Sequence, residues 1–168
     1  MNEELEVKVT PFSGKIDDDF SSGEQSLDNF YHNNFVRQWQ NRVLAGHEIV
    51  NDMGETIAFA TMSSTKIDKS KLGKFGKKLP YPEVSFSLIG RFAVDKDYSG
   101  QGIGSFFIGR LVDIAMASAE QVGSVGVFVD SLPGAIGFYE KLGFVKCEAE
   151  DGSTGTTPMY LPFPKRVK

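Results

Sequence analysis

Three glycines fall within five positions of "YSGQGIGSFF": Gly100, Gly102 and Gly104. Glycine loses more chain entropy on folding than any other residue, so such a cluster marks a tight turn or a close approach of backbone to ligand. An apolar run precedes it and a helical apolar pattern follows. A loop that leaves a strand and opens a helix offers unpaired N–H groups and the positive end of the helix dipole. That combination suits a diphosphate. Two phosphate loops are excluded by spacing. The dinucleotide pattern G-x-G-x-x-G would need a third glycine where Phe107 stands, and the Walker pattern needs a G-K-S/T that the chain lacks.

Other reactive side chains are sparse. His32 and His47 are the only histidines. His32 falls on a predicted helix beside a candidate cleft, and His47 opens a predicted strand; both fit structural roles. Glu83, at the head of an apolar strand, is a further base candidate. Arg91 sits between Gly90 and Phe92, where it can meet an anionic substrate or an acid on a neighbouring strand. Cys147 is the one cysteine; it permits no intrachain disulfide and falls in a strand-type run, which fits a packed thiol better than a nucleophile. No Cys/His/Asp cluster has metal-ligand spacing, so no metal is expected.

The elements that must position these residues follow from periodicity. "LEVKVT" (5–10) alternates and predicts an edge strand. Ser21-x-x-Glu24 and Ser22-x-x-Gln25 both fit a capping box. Leu27, Phe30, Tyr31, Phe35 and Trp39 then recur at helical spacing to about Asn41, as core or as the wall of a substrate cleft. Residues 47–64 predict a hairpin turning at Asn51–Gly54. "VSFSLIGRFAV" (84–94) is a long β-type run in which Gly90 predicts a bulge or a close backbone approach. Residues 105–121 carry an apolar helical face of Phe107, Leu111, Ile114 and Ala115, with Gly123 as C-terminal cap. "SVGVFVD" (124–130) predicts a buried strand. Residues 133–143 form a short helix with Pro133 near its start and Gly143 past its end. "FVKCEAE" is another strand, and "TTPMYLPF" (156–163) a last one, placed at an edge by Pro158 and Pro162. The order β, helix, β-hairpin, β, helix, β, helix, β, β describes a mixed α/β sheet.

With 168 residues, ordinary globular composition and no internal repeat, a single domain spanning 1–168 is expected. The acidic N-terminus has no apolar signal region and no run approaches membrane-spanning length, which predicts a cytoplasmic protein without a membrane partner. The net charge is −4. Residues 66–78, "KIDKSKLGKFGKK", hold six of the 18 cations and one acid, Asp68. A basic segment on an acidic body is either a nucleic-acid footprint or a solvated, mobile loop.

The glycine loop, with "RFAVD" before it, resembles the acetyl-CoA loop of the GNAT superfamily of N-acetyltransferases. Their pattern is Arg or Gln, two residues, Gly, one residue, then Gly or Ala. Gly102 and Gly104 match it, while Ser99 stands where Arg or Gln is expected. Downstream, "AIGFYEKLGF" (135–144) resembles the short helix of the same family. The resemblance implies a GNAT fold: a mixed, mostly antiparallel twisted sheet with splayed central strands and helices on both faces. It implies acetyl-CoA as co-substrate. The pantetheine arm would pair with backbone at Phe92, Ala93 and Val94. The diphosphate would meet the loop Ser99, Gly100, Gln101, Gly102, Ile103, Gly104 and Ser105, and Ala135 and Phe138 would also face the cofactor. Tyr139 would protonate the leaving thiolate; a phenol near pKa ~10 carries its proton at neutral pH.

Within the superfamily, "FSSGEQSLDNFYHN", "IGRFAVD" and "MYLPF" resemble the acetyltransferase toxins of bacterial toxin–antitoxin pairs. That likeness implies the α-amine of aminoacyl-tRNA as acceptor and an antitoxin protein as partner. A small-molecule or protein amine is the alternative acceptor, and a non-catalytic acyl-CoA-binding module the alternative role. A homodimer is compatible with the sequence.

Overall fold

The computed structural model describes residues 7–148 and 155–167. Seven strands are hydrogen-bonded in the order β1-β2-β3-β4-β5-β7-β6. They are β1 (Val9–Pro11), β2 (Ala45–Val50), β3 (Thr56–Asp68), β4 (Glu83–Val94), β5 (Gly126–Ser131), β6 (Val145–Lys146) and β7 (Thr157–Pro162). The helices are α1 (Gln25–Asn33), α2 (Phe35–Gln40), α3 (Gly73–Gly76), α4 (Ile103–Ala119) and α5 (Ile136–Lys141). β1 with β2, β2 with β3, β5 with β7 and β6 with β7 are antiparallel, whereas β4 and β5 are parallel. This is the expected mixed, mostly antiparallel sheet. Two compact units divide the chain: one runs to Ser63 and resumes over Gly90–Arg110, and the other takes Ser64–Ile89 and everything from Leu111 on.

The first unit is organised by aromatic residues. Phe12, Phe20, Phe30, Tyr31, Phe35, Phe59 and Ala93 form its buried cluster, with Leu27, Val36 and Trp39 packed against it. The Phe12 and Phe35 rings stack at 4.1 Å. The helical stripe read from the sequence is therefore core. It is carried by two helices rather than one, because the chain leaves helical geometry at Asn34 (φ −126°). Asn33 and Asn34 are both poor helix formers that compete with the backbone for hydrogen bonds. The capping boxes do not form: Glu24 is the N-cap and its side chain makes no cap bond. The serines instead serve Asp28, whose carboxylate accepts Ser21 Oγ at 3.0 Å, Ser22 Oγ at 2.7 Å and Ser22 N at 2.8 Å. The hairpin turns where predicted, with Gly54 N donating to Asn51 O at 3.0 Å and Gly54 at φ +78°. The first strand is shorter and later than predicted, and its predicted residues 5 and 6 lie outside the described ones.

The second unit packs Leu72, Val84, Phe86, Phe128 and Tyr160, with Phe75, Leu79 and Cys147 against them. Its parallel ladder pairs Ser87–Ile89 with Val127–Val129 and ends there, although β4 runs on to Val94. β7 is not at an edge as the prolines suggested; it lies between β5 and β6. Cys147 N donates to Pro158 O at 2.9 Å, so the N–H that Pro158 lacks faces the β6 side, where the ladder is only two residues long. Pro162 has the same parity along the strand and faces the same way, while Phe163 N bonds to Val125 O on the other side. Prolines are thus tolerated in an inner strand whose outer neighbour is nearly absent. Gly123 is not a left-handed cap; α4 ends at Ala119 and closes through Val122 N to Ser118 O at 2.9 Å. The remainder of the predicted "FVKCEAE" strand, from residue 149, lies outside the described residues.

The basic segment is structured throughout. β3 continues to Asp68, a 3₁₀ turn covers Lys69–Leu72, and α3 follows. Asp68 accepts from Ser70 N at 2.9 Å, Leu72 is fully buried, and Tyr160 OH donates to Leu72 O at 2.9 Å. A Cβ at Gly76 would stand 2.0 Å from Lys69 O, so only glycine permits this packing.

Candidate functional site

In the first unit, the end of β4, a 3₁₀ turn and the start of α4 form one continuous device. At its start, Arg91 N donates to Thr61 Oγ1 at 2.9 Å, and a Cβ on Gly90 would stand 3.1 Å from that oxygen. The predicted close approach at Gly90 is real, and the approaching group is a side-chain hydroxyl. Phe92 packs edge-on against Phe107 at 5.6 Å, and Ala93 is buried in the aromatic cluster. Val94 ends the strand.

Asp95, 8% exposed, then fixes the turn. Its N–H donates to Ile57 O at 2.7 Å, and its carboxylate accepts Ser21 N at 3.2 Å and Asp97 N at 2.9 Å. Lys96 N bonds to Ser21 O, which ties the turn over Lys96–Tyr98 to the segment before α1. Ser99 Oγ donates to Lys96 O at 3.0 Å, so its hydroxyl completes the turn. Gly100 (φ +76°) and Gly102 (φ +77°) are left-handed, and a Cβ on either would meet nothing within 4 Å. The glycines are required by conformation, and the space beside them is open. Gln101 is exposed between them. Ile103 and Phe107 bury into the unit and anchor the helix start, and the first helical bond runs from Phe106 N to Gly102 O at 3.1 Å. That leaves the first-turn N–H groups of Ile103, Gly104 and Ser105 without intrahelical acceptors. Open space, two left-handed glycines and a helix start of 17 residues suit a diphosphate.

Ala135, Phe138 and Tyr139 belong to the second unit. Pro133 starts a 3₁₀ turn that Ala135 N closes onto Leu132 O at 2.9 Å, and α5 follows. Gly143, at φ +95°, ends it, with Phe144 N on Tyr139 O at 3.1 Å. The Tyr139 ring is held edge-on by Phe138 at 5.1 Å and by Phe144 at 5.3 Å. Burial pushes its phenol up to about 12, and its hydroxyl has no protein hydrogen-bond partner among the described residues.

His32 Nε2 lies 2.8 Å from Phe20 O. His47 is half-buried, with Nδ1 inside and unpartnered, and burial lowers its pKa. Glu83 is exposed at the head of β4. The Arg91 guanidinium lies over the Phe30 ring, 4.5 Å from its centre, and has no carboxylate partner among the described residues. Cys147 is a half-buried thiol packed against the second core. Sequence reading missed Asp95, Thr61 and Glu48. Glu48 is buried at 3% exposure, accepts Ser13 N at 3.1 Å, and has its pKa raised by burial. An acid directly after an apolar strand was a visible signal for Asp95; the partners of Thr61 and Glu48 lie 30 and 35 residues away and leave none. No group of three His, Cys, Asp or Glu side chains gathers as metal ligands do among the described residues, and none of their helices is long and apolar enough to cross a membrane.

A family model described as an acetyltransferase (GNAT) domain matches residues 45–146. A tRNA-acetylating toxin of Mycobacterium tuberculosis is 28% identical over 116 residues, 67% of this chain and 68% of that one. Among solved structures, AtaT complexed with acetyl-methionyl-tRNAfMet superposes with a TM-score of 0.84 at 23% identity, covering 93% of this chain and 94% of that chain. A single-residue variant of KacT superposes with a TM-score of 0.85 at 25% identity and the same coverage.

Proposed function

The chain belongs to the acetyltransferase (GNAT) family and is an acetyl-CoA-dependent N-acetyltransferase, and we propose that its acceptor is the α-amine of aminoacyl-tRNA. The likeness to the mycobacterial tRNA-acetylating toxin carries the acceptor assignment. Amine chemistry supports it. An α-amino group titrates near about 7.7–8.0 and a lysine near about 10.4, so an α-amine is already partly neutral at physiological pH and needs little help from a base. The chain offers little: one histidine is occupied by the Phe20 carbonyl and the other is half-buried. On this reading the protein works in the cytoplasm, where charged tRNA is, with an antitoxin as its partner.

Acetyl-CoA supplies an activated acetyl group and a thiolate leaving group. In the proposed arrangement the backbone of Phe92, Ala93 and Val94 pairs with the pantetheine arm. The turn set by Asp95 and Ser99 presents the N–H groups from Gly100 and Gln101 through Gly102, Ile103, Gly104 and Ser105 to the diphosphate. Ser99 cannot form the contact that Arg or Gln would, because its hydroxyl is already given to Lys96 O; the cradle then rests on backbone alone. Ala135 and Phe138 line the cofactor, and Tyr139 donates its proton towards the departing sulfur. With the phenol at about 12 and a thiol near about 8.5, full transfer is uphill in water. Tyr139 therefore acts first as a hydrogen-bond donor, and transfer completes only as the thiolate is itself desolvated.

The test is mass spectrometry of purified aminoacyl-tRNAs incubated with the protein and acetyl-CoA. A 42 Da gain on the amino acid is the mass of an acetyl replacing a proton and supports the acceptor. Gain on free lysine or on protein amines, with none on charged tRNA, overturns it.

A further inference from the structure

The second unit gathers cations from two distant parts of the chain. Lys66, Lys74, Lys77 and Lys78 are exposed along the β3–α3 segment, and none of their ammonium groups has a hydrogen-bond or ion-pair partner among the described residues. Lys69 is spent internally, its Nζ donating to Leu79 O at 3.2 Å. Lys78 also lines a groove of about 550 Å³ with Lys165 and Arg166, which follow it by nearly ninety residues. Arg166 pairs with Glu120 at 3.5 Å, both exposed. The acids nearby are few: Asp68 is turned to Ser70 N, Glu148 lines a second groove with Lys69 and Lys77, and Glu83 lines a third with Lys66.

Rigidity separates this surface from a solvated loop. The segment is held by the buried Leu72, by Lys69 N on Pro82 O at 2.9 Å, by Glu148 N on Lys71 O at 2.8 Å, and by Phe75 stacked on Tyr160 at 5.8 Å. Acids outnumber cations by four in the chain, 22 to 18, yet these lysines are left unneutralised on a fixed base. Fixed, unpaired cations lose little entropy on meeting a polyanion and release its counterions.

We propose that Lys66, Lys74, Lys77, Lys78 and Lys165 form a footprint for the phosphodiester backbone of the RNA acceptor. This rests on the tRNA reading above. Phosphate contacts of this kind fix the register of the nucleic acid without reading its bases, so the footprint predicts tolerance to tRNA sequence. An acidic protein segment on the same surface is the competing occupant.

Binding is tested directly, without acetylation. Fluorescence anisotropy of labelled, uncharged tRNA is followed between about 50 and 200 mM KCl for the wild type and for the variant with all five lysines changed to Gln. Each phosphate contact contributes roughly 0.7–0.9 to the slope of log K against log salt. Five contacts predict a slope shallower by about 4, with acetyl-CoA affinity and thermal midpoint kept. The five-fold Lys→Arg variant keeps the wild-type slope, which separates lost charge from lost packing. A fall of one unit or more supports the footprint; a smaller fall, or no salt-dependent binding by the wild type, overturns it. Wild-type binding without acetylation of charged tRNA would sink the acceptor assignment and leave the footprint standing.

Discussion

Replacing Tyr139 by Phe separates catalysis from packing. The ring is buried between Phe138 and Phe144, and the hydroxyl has no protein partner among the described residues. Removing an unpaired hydroxyl while keeping the ring leaves stability at pH 7 within about 1 kcal/mol of wild type. A lost acid costs about 10²–10⁴ in rate, or roughly 3–5 kcal/mol of transition-state stabilisation. kcat should therefore fall by at least about a hundredfold, with acetyl-CoA affinity unchanged by calorimetry. The pH dependence sharpens the test. The folded pKa is raised from 10.0 to about 12, so the neutral phenol is favoured by folding. That contribution is fully present below pH 10 and is lost as pH rises through 12. Two units correspond to roughly 2.7 kcal/mol at most. Wild-type stability in urea should decline more steeply than that of Tyr139→Phe between pH 10 and 12, and no alkaline fall in kcat from this group should appear below pH 10. Equal stability slopes refute the burial account, and a kcat within threefold of wild type refutes the acid role.

Three further outcomes follow from the geometry. Gly102→Ala should raise the KM for acetyl-CoA and cost about 1–2 kcal/mol in thermal unfolding, because a left-handed backbone is strained by any Cβ even where space is open. Asp95→Ala leaves Ser21 N and Asp97 N without their acceptor, and should cost about 1–3 kcal/mol and loosen acetyl-CoA binding, read by calorimetry. Glu48 is raised by burial, so its stabilising share is present below about 4.5 and is lost as pH climbs through its folded value; Glu48→Gln should be more stable than wild type at pH 7, and an unchanged urea midpoint would count against that shift.

Local backbone structure was legible in the sequence. The glycine loop and the "FYEKLGF" helix are contiguous, and their chemistry depends on backbone conformation that sequence dictates directly. The hairpin at Asn51–Gly54 is legible for the same reason. Errors arose where one residue type answers to two rules. Ser21 and Ser22 look like N-caps, but Asp28 one turn into α1 competes for their hydroxyls. Pro158 and Pro162 argue for an edge, yet an inner strand accepts them when its neighbour is two residues long. The basic segment could be read as a solvated, mobile loop as well as a footprint because its anchors, Tyr160 and Glu148, are about eighty residues downstream.

The sheet's outer strands have a consequence for solubility. β6 offers two paired residues, and the prolines of β7 withhold donors from the same side. β1 at the opposite end has three residues and closes with Pro11. Among the described residues, neither border presents the long, regular row of backbone groups that templates addition of another strand. Blunt borders of this kind disfavour edge-to-edge pairing between copies of the chain. Replacing Pro158 in β7 would restore a donor on the side facing β6 and weaken that protection.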